Sequence, residues 1–144
     1  MTDGPVDLVR LERDGNSVVL TITGTDSAGG APGGVLTGVL VVDTRFVKGS
    51  LDLWVFPEDL REWQEALDAL DAGQDVAWRE FARGPALFVE RDGEEERARV
   101  TVKDTSGSLT SVTVTVPLVD SWFDDAYARL DLVWKTWPPA EGGR

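Results

Sequence analysis

Apolar and polar positions alternate along much of the N-terminal half. Residues 7–11 open the pattern, and Asp14-Gly15 supplies a tight hairpin turn because glycine tolerates positive φ. Over 17–23, Val18, Leu20 and Ile22 share one face and hydroxyls take the other, which predicts a half-buried antiparallel strand. Residues 24–34 hold five glycines and Pro32 with no period, which predicts a flexible loop. Two strands are predicted next, at 35–43 and 48–55, close enough in sequence to be neighbours. The first is apolar on both faces and suits a central place in a sheet. The second turns Leu51, Leu53 and Val55 one way and Ser50, Asp52 and Trp54 the other, leaving Trp54 as an aromatic on a polar face.

Pro57 marks a change of period. Leu60, Trp63, Leu67 and Leu70 recur at helical spacing with Ala66 beside them, and Glu58 and Asp59 place negative charge at the positive end of the dipole. With Gly73 as a stop, this predicts a helix over 57–72. Alternation then returns, predicting strands at 75–81, 86–90, 97–103 and 111–116, the last two joined by a hairpin. Ser121 with Asp124 three residues later resembles a capping box, and Trp122, Ala126, Leu130 and Val133 form the stripe of a second helix over 121–135. No internal repeat shows in the sequence. The expectation is an α+β fold in one domain over 1–144, with 138–144 as a tail. A mostly antiparallel sheet of about seven or eight strands would have one wet face, with two amphipathic helices covering the other.

Composition narrows the chemistry. The chain has no cysteine and no histidine, which removes thiol nucleophiles, disulfides, Ser-His-Asp triads and ordinary zinc sites. No cofactor and no metal is expected. A formal net charge of −12 argues against nucleic acid as a partner. No stretch is long and apolar enough to span a bilayer, and Met1-Thr2-Asp3-Gly4 is acidic where a signal peptide would be basic, so the expectation is a cytoplasmic protein with no membrane partner.

Several motifs invite chemistry that plainer causes explain. The loop at 24–34 lacks the Gly-Lys-Ser/Thr ending and following helix of a phosphate cradle. Glu94-Glu95-Glu96, with Glu90 and Asp92, lacks the alternate ligand spacing of a calcium loop and reads as a solvated turn. Asp120, Asp124 and Asp125 stand in a first helical turn, where carboxylates are favoured without any catalytic role. Trp63 and Trp122 fit the helix stripes, whereas Trp54, Trp78, Trp134 and Trp137 fit either a core or an interface. The first helix carries Glu58, Asp59, Glu62, Glu65, Asp68 and Asp71 against Arg61 alone. Such a face is either solvated surface or a dock for a basic partner. On the second reading Glu58, Glu62, Glu65 and Asp68 form the row and Trp54 beside them the anchor.

The run Leu53-Trp54-Val55-Phe56-Pro57-Glu58-Asp59-Leu60, followed by Trp63, Leu67 and Leu70, resembles the strand, Pro-Glu-Asp-Leu and helix of a group of small bacterial proteins. These include an uncharacterised actinobacterial domain family and, more distantly, the Wap-type immunity proteins of polymorphic toxin systems. The resemblance covers nearly the whole chain and brings no catalytic signature. It implies a non-enzymatic protein-binding domain, an immunity protein that neutralises a basic toxin domain. The alternative expectation is a structural or assembly protein that self-associates as a homodimer through exposed aromatics and sheet edges.

Overall fold

The computed structural model describes residues 4–13, 15–26, 35–80, 84–92 and 96–137. Its elements run β1 (Val6–Arg13), β2 (Asn16–Asp26), β3 (Val35–Asp43), β4 (Lys48–Val55), α1 (Pro57–Asp71), β5 (Val76–Trp78), β6 (Pro85–Asp92), β7 (Arg97–Asp104), β8 (Ser111–Pro117) and α2 (Asp120–Thr136). The α+β class and the two helices are as the periodicity predicts. The eight antiparallel strands divide into two sheets of four, ordered β1-β2-β3-β4 and β5-β6-β7-β8.

Four strands in a meander followed by a helix therefore occur twice. The buried positions Trp63, Ala66 and Leu70 of α1 return at the same spacing in α2 as Phe123, Ala126 and Leu130. The helices are exchanged between the halves: α1 packs on β5, and α2 packs on β1, with the two helices in contact. Each helix thus makes its most extensive strand contacts with the other half's sheet. Residues from both sheets and both helices form one apolar cluster, with Val18, Leu20 and Ile22 of β2 almost fully buried in it.

Several local expectations are corrected. The predicted loop at 24–34 begins later than expected, because a bulge between Ile22 and Gly24 lets β2 continue to Asp26. Residues 27–34, Asp14, Glu94, Glu95 and the tail at 138–144 lie outside the described residues. The strand predicted over 75–81 stops at Trp78, since Arg79 turns to a left-handed φ of 64°. α2 begins at Asp120 behind Val119, with no side-chain cap, so Ser121 sits exposed inside the first turn and forms no capping box. Its buried stripe is led by Phe123 rather than Trp122. Both residues precede Ala126 by a helical step, and periodicity alone cannot choose between them. Trp122 is half-buried, its Nε1 donating to the Arg10 carbonyl at 2.8 Å.

Candidate functional site

The corner where β4 enters α1 gathers most of the distinctive chemistry. Phe56 precedes the helix, and Asp59 in the first turn accepts the Phe56 N–H through Oδ2 at 2.9 Å. That bond satisfies a backbone donor at the chain's turn into the helix. The main-chain carbonyl of Asp59 accepts from Trp78 Nε1 at 2.8 Å, tying β5 to the start of α1. Trp78 in turn lies against Trp63, ring centroids 5.0 Å apart.

Beneath this corner lies a buried arginine. Arg79 donates from Nε to the Pro85 carbonyl at 3.0 Å, and from Nη1 to the Trp54 carbonyl at 2.9 Å and to Asp59 Oδ2 at 3.2 Å. Burial pulls the guanidinium below its ordinary pKa, and the Asp59 carboxylate pulls it back. One side chain thus fixes the end of β4, the start of β6 and the first turn of α1. Gly84 permits this approach: it has a φ of 95°, and a Cβ there would stand 3.3 Å from Arg79 Nη2.

Above the guanidinium opens a cleft of about 610 Å³ whose lining includes Asp52, Trp54, Phe56, Glu58 and Arg79. Trp54 is 51% exposed and Phe56 42%, large fractions for such side chains. Two aromatics therefore form an apolar wall, and Asp52 and Glu58 line the same cleft. This lining suits the flat or aliphatic part of a cationic side chain, with a carboxylate in reach of its charge.

The predicted row divides. Glu58, Glu62 and Glu65 are exposed along α1, and Glu58 reaches the cleft next to Trp54. Asp68 is also exposed, but its Oδ1 accepts a 2.5 Å hydrogen bond from the Tyr127 hydroxyl, which joins α1 to α2. Asp68 thus has a bond within the fold that the acidic pattern did not reveal. Desolvation, and then the neighbouring Asp68, push the Tyr127 phenol up to about 12. The raised value means that the neutral phenol is favoured in the folded chain, so this contribution is complete below about pH 10 and lost as pH rises toward 12. Tyr127 is the chain's one tyrosine, so alkaline titration of phenolate absorbance reads it alone. The expected midpoint lies near 12, moving toward the free value of about 10 in Asp68→Asn; a midpoint near 10 in the unaltered chain contradicts the bond.

The other candidates scatter. Asp120 and Asp124 are exposed at the start of α2, and Asp125 pairs with Arg129 at 2.6 Å. Among the described residues no three carboxylates gather as a metal site. Trp63 and Trp78 are buried, while Trp122, Trp134 and Trp137 pack partly against the core. The patterning missed Arg79 and Phe56 as site residues. Nothing in an alternating stretch marks Arg79 as an arginine that turns inward.

No curated protein and no solved structure matches this chain. A family model described as a family of unknown function (DUF5959) matches residues 6–138, and the chain belongs to that family.

Proposed function

We propose that this chain is a protein-binding domain whose β4–α1 corner receives a basic partner. The observation that carries the reading is the coincidence of two exposed aromatics, Trp54 and Phe56, with Asp52 and Glu58 around one cleft, continued by Glu62 and Glu65 along α1. Exposed charge chiefly governs encounter and specificity, and an aromatic contact that becomes buried holds the complex. An arginine or lysine of the partner would lay its stem on Trp54 and Phe56 and its charge near Glu58. The resemblance to immunity proteins gives the reading its biological form, a basic toxin domain as the protein bound, and this step is analogy.

The test uses an arginine-rich polypeptide as probe, with association and dissociation followed separately. Reversing Glu58, Glu62 and Glu65 to lysine is expected to slow association about tenfold or more at low ionic strength, and added salt should do the same to the unaltered chain. Trp54→Ala should leave association nearly unchanged and speed dissociation. Reversing Glu96, Asp120 and Asp124, at the far end of the second sheet, makes the same change in net charge and serves as control. Equal slowing by both triple reversals would reduce the row to solvated surface.

A further inference from the structure

The four sheet edges are unequally protected. β1 is packed by α2, β8 lies against β1 and β2, and β5 is three residues long and held against α1. β4 is eight residues long and makes its extensive contacts with β3. The phase of the β3–β4 ladder shows which of its groups face outward. The Thr44 N–H donates to the Val47 carbonyl at 2.8 Å at the hairpin, so Val42–Gly49, Leu40–Leu51 and Gly38–Leu53 are the pairs that exchange bonds. Lys48, Ser50, Asp52 and Trp54 then turn their N–H and C=O groups away from β3. The Arg79 bond to the Trp54 carbonyl agrees with this phase, and it closes the edge at that end. The stretch from Lys48 to Asp52 stays open among the described residues. An open edge of this kind is a template for another strand.

We propose that two copies of this chain pair antiparallel along β4, with Ser50 opposite Ser50 on the twofold axis, joining the two β1–β4 sheets into one. The side-chain sequence of the edge chooses both occupant and register. With Ser50 at the centre, Lys48 faces Asp52 of the second copy and Asp52 faces its Lys48, giving two opposite-charge pairs on the outer face. Gly49 comes opposite the half-buried Leu51, so the inner face meets without a clash of large side chains. Sliding the strands two residues either way sets Ser50 against Asp52 or against Lys48 and loses both opposite-charge pairs, and a slide of four brings Asp52 against Asp52 or Lys48 against Lys48. The same register brings Phe46, 94% exposed at the hairpin tip, level with the exposed Trp54 of the second copy. Lys48 can serve in this way: its side chain is 74% exposed, and its ion pair with Asp43 is a long one at 3.7 Å.

Salt separates this association from binding at the acidic row. Each copy carries a net charge of −12, so screening relieves repulsion between copies and strengthens the dimer, whereas it weakens capture of a basic partner. The two associations share Asp52 and Trp54 and should compete, yet either can fail without the other.

Sedimentation equilibrium of the full chain over a range of concentration and salt tests the pairing. The expected result is a concentration-dependent dimer strengthened by salt. Lys48→Asp and Asp52→Lys should each weaken it about tenfold or more by setting like charges opposite one another. Combining Lys48→Asp with Asp52→Lys restores the opposite pairs and should restore the dimer. Both positions are exposed, so these variants keep the fold. A chain that stays monomeric at every concentration, a dimer indifferent to the single reversals, or a double reversal as weak as the singles would each overturn the proposal.

Discussion

Arg79→Ala is expected to destabilise the fold by about 3–5 kcal/mol, the cost of leaving half of a buried ion pair. The Arg79 side chain is 3% exposed and that of Asp59 10%. Removing the guanidinium strands the Asp59 carboxylate and also takes a donor from the Trp54 and Pro85 carbonyls. Arg79→Lys should recover only part of the loss, because one ammonium cannot reproduce a planar fork aimed at the Pro85 and Trp54 carbonyls and the Asp59 carboxylate together. Combining Arg79→Met with Asp59→Asn should cost less than the two single changes added together. The doubly altered site holds no uncompensated charge, and the amide oxygen introduced by Asp59→Asn can still accept from the Phe56 N–H. Denaturant unfolding of these variants checks the cycle; a loss below about 1 kcal/mol for Arg79→Ala would show that the pair is not an anchor.

The second large effect is at Trp63, which is fully buried and stacked at a tilt on Trp78. Trp63→Ala should cost about 3–5 kcal/mol through lost burial and the cavity left between α1 and β5. Trp63→Phe should differ sharply. The Trp63 Nε1 has no hydrogen-bond partner among the described residues, and a buried donor without one is costly. Phenylalanine removes that donor while keeping much of the ring volume, so the net change should stay within about 1.5 kcal/mol. Thermal or denaturant unfolding compares the two directly. Equal losses from phenylalanine and alanine would mean that the indole N–H is satisfied after all.

How much of this was legible in the sequence depends on the range of the interaction. β2 and α1 could be read because Val18, Leu20 and Ile22, and then Leu60, Trp63, Leu67 and Leu70, carry their period within a few residues. The exposure of Trp54 was legible for the same reason, since alternation put it with Ser50 and Asp52. The division into two sheets was not legible, because strand pairing across a helix leaves no local trace. Nor was the exchange of helices between halves. Asp68 shows the limit most plainly: its spacing from Glu65 placed it in the acidic row, while its partner Tyr127 lies on the other helix. Arg79 depends on Pro85, Trp54 and Asp59, three separate parts of the chain, and an arginine gives no sequence signal of a left-handed backbone as glycine or asparagine would.

The chain's six tryptophans offer the most direct test of the β4–α1 corner as the partner site. Each indole N–H gives its own resonance, and an arginine-rich peptide can be titrated against all of them at low salt. The predicted result is that the Trp54 indole and the α1 amides around Glu58, Glu62 and Glu65 shift together, that added salt reverses the shifts, and that the buried Trp63 and Trp78 indoles stay in place. Shifts spread evenly over the acidic surface, reaching Asp120 and Asp124 as strongly as Glu58 while Trp54 stays still, would contradict it.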